Sequence, residues 1–236
     1  MSVRTDGMSD HPQNVQGAFF GRRKGHRLRA HQSALMETLL PHLALKTDAP
    51  FDAEETFGFV PDSLRLEIGF GGGEHLVAEA LAFPQTAFIG CEPYVNGMAK
   101  VLALIETSGA TNIRLHAGDA AELIAFLPTA SLARIDLIHP DPWPKRRHWK
   151  RRFVQQHTLA DAARVLRHGG EFRFVTDIDD YAGWTLSQFS RAADFTWSAE
   201  QASDWRAPWP GYTMTRYGAK AEREGRRAVY LRFVRG

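Results

Sequence analysis

Between residues 64 and 176, short apolar runs alternate with longer stretches of helical character, and this order is the strongest constraint on the fold. The apolar runs predict strands at residues 64–69, 87–91, 113–116, 135–139 and 171–176. The stretches between them predict helices at residues 74–82, 95–108, 120–126 and 153–166, the last of which we expect to stop at His168, Gly169 and Gly170. Strands that alternate with helices form a parallel sheet, so we predict a doubly wound α/β fold.

The two ends of the chain do not follow this alternation. Residues 1–20 are polar and contain glycine and proline, so we expect a disordered tail, followed by one domain over residues 21–236 with a basic N-terminal extension. Apolar residues at near-helical spacing predict a helix over residues 31–45, and a loop is predicted over residues 48–62. The C-terminal part predicts a helix at 181–193, a strand at 195–197, an ordered loop at 205–217 and a final strand at 229–233.

Composition excludes several classes of protein. The 236 residues suit one large domain, no apolar run approaches the roughly 18 residues of a membrane helix, and the first twenty residues lack the apolar core of a signal peptide. A single cysteine, Cys91, excludes an internal disulfide and fits a reducing compartment. The sequence has no spacing typical of a zinc site or of a serine nucleophile, so no metal is expected. We therefore expect a soluble, cytoplasmic protein.

The basic residues are clustered, although the net charge is only +2. One cluster lies at residues 22–29, a second at 145–152 and a third, diluted by acids, at 216–227. Three clusters on a nearly neutral chain suggest a one-sided patch for a phosphate backbone, with solvated surface charge as the alternative. The residues expected to form this RNA-binding patch are Arg22, Arg23, Lys24, Arg146, Arg147, Lys150 and Arg151.

A glycine-rich turn, Glu-Ile-Gly-Phe-Gly-Gly-Gly at residues 67–73, follows the first predicted strand. A dinucleotide-binding turn would have a further glycine at the position of Glu74. Acids on both sides of the turn are unfavourable beside a pyrophosphate but suit S-adenosylmethionine, a cationic cofactor without phosphate. Glu92 and Asp119 follow the next two strands, where they would accept from the ribose hydroxyls and from the adenine amino group. A tight turn without a ligand is the alternative.

Residues 137–152 place one acid beside a cationic run. Asp141 lies between two prolines and is followed by Trp143, and six Lys or Arg then occur within residues 145–152. This order suggests a strand that delivers an acid and an aromatic ring to a pocket with a cationic rim, which suits a flat polar base attached to a polyanion. Trp143 is a candidate platform for stacking a base, with loop packing as the alternative, and we expect His139 to support the end of the strand.

Several motifs together resemble one family. They occupy residues 21–25 (Gly-Arg-Arg-Lys-Gly), 67–71 (Glu-Ile-Gly-Phe-Gly), 141–145 (Asp-Pro-Trp-Pro-Lys), 176–177 (Thr-Asp) and 215–217 (Thr-Arg-Tyr). Over most of its length beyond the first twenty residues, the chain resembles the bacterial single-chain tRNA (guanine-N7-)-methyltransferases. The resemblance implies a Rossmann-like class I methyltransferase sheet, mostly parallel with an antiparallel C-terminal strand. It also implies methyl transfer from S-adenosylmethionine to guanine N7 in the tRNA variable loop.

The resemblance further implies roles for individual residues. The cofactor would contact Glu67, Gly69, Gly71, Glu92, Asp119 and Asp141, and Asp141 would also be the catalytic residue. The substrate would contact Lys145, Asp177, Thr215, Arg216, Tyr217 and Gly218. This chain departs from the family at Gly218, where the family usually has glutamate.

The chemistry of guanine N7 limits what the acids can do. N7 carries a lone pair and no proton, so methyl transfer to it needs no general base. We expect Asp141 to orient the guanine and to stabilise its developing positive charge, and Asp177 could act in the same way. The expected partner is tRNA, with no membrane and no obligatory protein partner. The alternatives are a methyltransferase for another RNA and a protein that binds cofactor and RNA without turnover.

Overall fold

The computed structural model describes residues 19–236, so residues 1–18 of the predicted tail lie outside the described residues. The strands are β1 (Ser63–Ile68), β2 (Thr86–Cys91), β3 (Ile113–His116), β4 (Leu132–Ile138), β5 (Leu166–Thr176), β6 (Phe195–Trp197) and β7 (Val229–Arg235). They form one sheet in the order β3-β2-β1-β4-β5-β7-β6. The first five strands pair in parallel, and β7 runs antiparallel to both β5 and β6. This topology confirms the predicted doubly wound sheet, mostly parallel with an antiparallel C-terminal strand.

Helices cover both faces of the sheet. They are α1 (Ala30–Thr38), α2 (Leu40–Leu43), α3 (Ala53–Phe57), α4 (Glu74–Ala82), α5 (Val95–Ser108), α6 (Ala120–Phe126), α7 (Gln156–Val165), α8 (Asp179–Phe189), α9 (Ser203–Arg206) and α10 (Arg216–Arg223), with a 3-10 helix at Arg146–Arg151. Successive residues of a strand face opposite sides, so Phe88 and Ile89 of β2 belong to two separate apolar cores. One core includes residues of α1, α4 and α5, and the other includes residues of α6, α7 and α8.

Residues 168–170, which were predicted to stop α7, belong to β5 instead. The helix ends at Val165, because Leu166 has extended backbone angles and begins β5. Leu166 pairs with Leu132 of β4, and the register shifts before the pairing resumes. Gly169 lies inside this irregular part of the strand with a φ of 74°, so it serves the strand and not the end of the helix.

Three further segments differ from their predictions. The helix predicted over residues 31–45 divides into α1 and α2 at Leu39. The loop predicted over residues 48–62 contains α3, whose first turn is capped by the Asp52 carboxylate. The loop predicted over residues 205–217 contains the end of α9 and the start of α10. Helices this short depend on caps and tertiary contacts, and too few residues are present to establish a helical period.

The carboxyl ends of β1 to β5 meet at one edge of the sheet, and the backbone there is unusual. Gly69, directly after β1, has a φ of 69°. His139, directly after β4, has a φ of 49°, and Trp143 in the same loop has a φ of 45°. Residues other than glycine rarely occupy this left-handed region, and those that do concentrate at functional sites. Asp141 lies between these two strained residues.

Candidate active site

A cavity of about 490 Å³ opens at the carboxyl edge of the sheet. Ligands of doubly wound proteins bind at this edge, and the volume lies in the usual range for small-molecule pockets. The wall is formed by the turns after the parallel strands, by the first described residues of the chain and by α10. The predicted site residues that line it are Gly69, Gly71, Glu92, Asp119, Asp141, Asp177, Tyr217, Arg22 and Arg151.

The glycine turn after β1 forms one end of the cavity. Gly71 and Gly73 have φ angles of 59° and 82°, in the region that favours glycine. A Cβ at Gly71 would lie 3.2 Å from Tyr217 Cε2, and a Cβ at Gly73 would collide with the side chain of Val101. The glycines therefore allow α5 and α10 to approach the turn closely.

Glu67 does not line the cavity, although it was predicted to contact the cofactor. It is buried, and its carboxylate lies 2.8 Å from Nδ1 of the buried His75. Burial raises the pKa of the Glu67 carboxyl. Burial lowers the pKa of His75, but Glu67, together with Asp136 and Glu79, raises it overall. The pair links β1 to α4, the two elements that flank the glycine turn, and direct cofactor contact by Glu67 stays a prediction.

Glu92 is held rigidly at the end of β2. One carboxylate oxygen accepts from Gly71 N at 2.8 Å and the other from Tyr94 N at 2.9 Å. Burial raises the pKa of this carboxyl even though both hydrogen bonds oppose the rise. Each oxygen keeps a second lone pair, so Glu92 can still accept from a ligand in the cavity.

Asp119 connects the cavity to the N-terminal segment. Its Oδ1 accepts from Ala121 N at 2.9 Å and caps α6, and its Oδ2 accepts from Phe19 N at 2.8 Å. Phe19, Phe20 and Gly21 line the cavity together with Asp119. The two phenylalanines were predicted to belong to the disordered tail. The available signal was the pair of adjacent aromatic residues between the polar tail and the first basic cluster.

Asp141 lines the cavity and is exposed to solvent. The protein surface around it partly removes water, and this desolvation raises the pKa of its carboxyl. The loop that carries Asp141 is anchored by Arg152. This residue is fully buried, donates to Pro142 O at 3.0 Å and pairs with Asp180. The guanidinium of Arg152 also faces the ring of Tyr181 at 4.8 Å. One cation of the basic run is therefore structural and holds the loop that presents Asp141.

The predicted element at residues 215–218 divides by role. Thr215 caps α10 by accepting from Gly218 N at 3.2 Å, and both residues are buried. Arg216 pairs with the Glu74 carboxylate across the glycine turn. Only Tyr217 of these four residues lines the cavity. Substrate contact by Thr215, Arg216 and Gly218 stays a prediction.

Comparisons with known proteins agree with this geometry. Residues 61–231 match a family described as a putative methyltransferase. A tRNA (guanine-N(7)-)-methyltransferase of Nitrobacter hamburgensis is 68% identical over 236 residues, which is 99% of this chain and 92% of that protein. The same-named protein of Bradyrhizobium diazoefficiens is 70% identical over 220 residues, which is 92% of this chain and 93% of that protein. The chain belongs to the tRNA (guanine-N(7)-)-methyltransferase family.

Solved structures support the fold at much lower identity. The crystal structure of the 16S rRNA methyltransferase KamB matches with a TM-score of 0.55 and 16% identity, over 80% of this chain and 96% of that one. At this identity the likeness concerns the fold alone. Together with the observed sheet, it confirms the class I methyltransferase architecture expected for a tRNA (guanine-N(7)-)-methyltransferase family member.

The basic residues of this family member surround the cavity mouth unevenly. Arg22 and Arg151 line the cavity, and Arg151 faces the ring of Trp143 at 4.9 Å and that of Phe20 at 6.0 Å. The other predicted RNA-patch residues and Lys145 are exposed and do not line the cavity; they are Arg23, Lys24, Arg146, Arg147 and Lys150. They could contact a polyanion only outside the cavity.

Two further residues of the cavity wall, His139 and Arg226, were not assigned to the site from the sequence. His139 was expected only to support a strand, yet it lines the cavity and lies 3.1 Å from Asp177. Arg226 donates to the same carboxylate at 2.6 Å. The sequence signal for Arg226 was its membership of the third basic cluster, but nothing local indicated its partner.

A metal site, a reactive cysteine and a membrane-spanning helix find no support in residues 19–236. No cluster of His, Cys, Asp and Glu in this part of the chain could hold a metal ion. Cys91 is buried, and burial raises the pKa of its thiol well above the usual value, which disfavours a nucleophilic thiolate. None of the described helices is long and apolar enough to cross a membrane.

Proposed function

We propose that this chain transfers a methyl group from S-adenosylmethionine to N7 of a guanine in tRNA. The observation that carries the proposal is one cavity lined by the glycine turn, by the carboxylates of Glu92, Asp119 and Asp141, and by Arg22 and Arg151. Carboxylates and cations in one cavity suit methyl transfer from a cationic cofactor onto a base of a nucleic acid. The names of the relatives at 68% and 70% identity support the same substrate.

The carboxylates that line the cavity fit a cofactor that carries positive charge and no phosphate. Glu92 would accept from the ribose hydroxyls, since its oxygens are already fixed by two backbone N–H groups. Asp119 would accept from the adenine amino group on the carboxylate that also holds Phe19 N. The glycine turn would surround the methionine part, and S-adenosylmethionine, when bound, supplies an electrophilic methyl group on its sulfonium.

Asp141 would orient the guanine and stabilise the charge that develops on it. N7 has no proton to lose, so the carboxylate is not needed as a base. Positive charge appears on the purine as the methyl group is transferred, and a carboxylate in a partly dry wall stabilises such charge well. Arg152 contributes indirectly, because it holds the loop through Pro142 O.

The exposed cations would hold the RNA backbone around the cavity mouth. Arg146 and Arg147 start the 3-10 helix and are exposed, as is Lys150 near its end. Arginine and lysine contacts to phosphates position an RNA without reading its sequence. A guanine displaced from its stack would then reach the cavity past Trp143.

The test is methyl transfer from labelled S-adenosylmethionine to tRNA that lacks the modification, followed by chemical cleavage at 7-methylguanine. We expect label in tRNA and cleavage at one guanine of the variable loop. Label at an exocyclic amine, or label only in ribosomal RNA, would assign the chain to another methylation reaction. Binding of cofactor and tRNA without any label would support the non-catalytic alternative.

A further inference from the structure

His139, Asp177 and Arg226 form a connected group in the cavity wall. His139 directly follows β4 and Asp177 directly follows the neighbouring β5, so parallel pairing brings the two residues to the same edge. His139 N donates to Val175 O at 2.8 Å, which continues the pairing for one more residue. His139 Nδ1 lies 3.1 Å from Asp177 Oδ1, and Arg226 Nε donates to Asp177 Oδ2 at 2.6 Å. The carboxylate is therefore held from both sides.

The burial of the group determines its protonation. The His139 side chain is only 3% exposed and that of Asp177 is 12% exposed. Burial lowers the pKa of His139 despite the opposing effect of Asp177, so the ring is neutral near pH 7. Burial alone would raise the pKa of Asp177, but the hydrogen bonds from Arg226 and His139 lower it. A neutral ring beside a carboxylate donates its Nδ1–H.

The other face of the imidazole is closed by Gly218. His139 Nε2 is buried and has no hydrogen-bond partner among the described residues. A Cβ at Gly218 would lie 3.2 Å from that nitrogen and 2.5 Å from Met214 Sδ. The absence of a side chain at position 218 thus leaves room for the ring. His139 also has a left-handed backbone, with a φ of 49°, a conformation that concentrates at functional sites.

We propose that His139 is a positioning residue, which holds the Asp177 carboxylate for the edge of the guanine that carries N1–H and the 2-amino group. This inference rests on the proposed function. Both Asp177 oxygens keep a lone pair for the cavity, and the guanine edge presents two adjacent donors that match them. At these two positions adenine presents the N1 acceptor and a C2–H, so the same carboxylate would discriminate against it. Asp177 reads the base, and His139 with Arg226 prevents the carboxylate from turning.

The test compares His139→Phe with His139→Asn on two tRNA substrates, one with guanosine and one with inosine at the target position. Inosine keeps N7 and N1–H but lacks the 2-amino group. We expect the wild type to prefer guanosine by about tenfold or more in kcat/KM, as for loss of one base contact. His139→Phe removes the Nδ1–H donor and should reduce this preference to about twofold or less, whereas the side-chain amide of His139→Asn should restore most of it.

The controls separate positioning from folding and from the proposed function. His157→Phe replaces an exposed histidine on α7 and should leave the preference unchanged. Cofactor affinity by calorimetry should be equal in all variants, because the side chain of His139 bonds to Asp177 and to none of the acids expected to hold the cofactor. If His139→Phe keeps the wild-type preference, or loses kcat/KM equally on both substrates, the positioning role of His139 is overturned and the proposed function is not. A wild-type enzyme that labels no tRNA would overturn the proposed function and this inference together.

Discussion

Removal of exposed cations from the 3-10 helix should weaken the salt dependence of tRNA binding. The basic run at residues 145–152 contains six Lys or Arg, but the structure divides them. Arg152 is buried and paired with Asp180, and Arg151 faces two aromatic rings in the cavity. The triple variant Arg146→Ala, Arg147→Ala and Lys150→Ala removes exposed charges and leaves both of these residues in place.

The expected magnitude follows from counterion release. Each phosphate contact contributes about 0.7 to 0.9 to the slope of log K against log salt, so three lost contacts should flatten the slope by about 2 to 3. Between about 50 and 200 mM salt, a slope difference of about 2.4 corresponds to roughly 30-fold in relative affinity. Cofactor binding should not change, because none of the three side chains lines the cavity.

Fluorescence anisotropy with labelled tRNA over this salt range measures the slope directly. The control is Arg167→Ala with Arg191→Ala, two exposed cations near the amino ends of β5 and β6, at the opposite edge of the sheet. The control should keep the wild-type slope. A triple variant with the wild-type slope, or a control that flattens it equally, would refute a phosphate-binding surface at the 3-10 helix.

Three further predictions concern the cavity and its support. Asp141→Asn should lower kcat by about 100-fold or more with cofactor and tRNA affinities retained. The pKa of Asp141 is raised above 3.8, so wild-type activity should fall as the pH falls through that raised value. The pH–rate profile of the variant should lack this acidic limb. Gly218→Ala should displace His139 and lower kcat/KM by about tenfold, whereas Gly183→Ala, where the added Cβ meets nothing within 4 Å, should leave activity unchanged. Arg152→Met should cost about 2 kcal/mol of unfolding free energy, less than a fully buried pair because the Asp180 side chain is half exposed, and calorimetry should show a Tm lower by roughly 4–8 °C. A normal rate in Asp141→Asn, equal effects of the two glycine variants, or an unchanged Tm in Arg152→Met would contradict the corresponding argument.

The regular part of the fold was predictable from the sequence because its signals are local. A buried strand or a long amphipathic helix carries its pattern within a dozen residues, and α4, α5 and α6 begin and end where that pattern does. The predicted stop of α7 at residues 168–170 was wrong for the opposite reason. Leu166 belongs to β5 because it pairs with Leu132 of another strand, and no residue near it in the sequence indicates that pairing.

Part of the candidate site was equally predictable, since the acids follow the strands in order. Glu92 and Asp119 follow the carboxyl ends of parallel strands, and both line the cavity there. Asp141 follows the fourth strand and also lines the cavity, because the carboxyl ends of all the parallel strands lie at the same edge of the sheet. The roles of charges in the basic clusters were not predictable. Burial separates Arg152 from its exposed neighbours, although their letters and spacing are alike.

The sequence by itself determined the sheet, the glycine turn and the acids along its carboxyl edge, because each depends on the order of residues within one segment. Only the tertiary structure decided what those acids touch. Phe19 reaches Asp119 across 100 positions, His139 meets Asp177 across 38, and Arg226 meets Asp177 across 49. Such contacts depend on how segments far apart in the sequence pack together, and local periodicity contains no information about that packing.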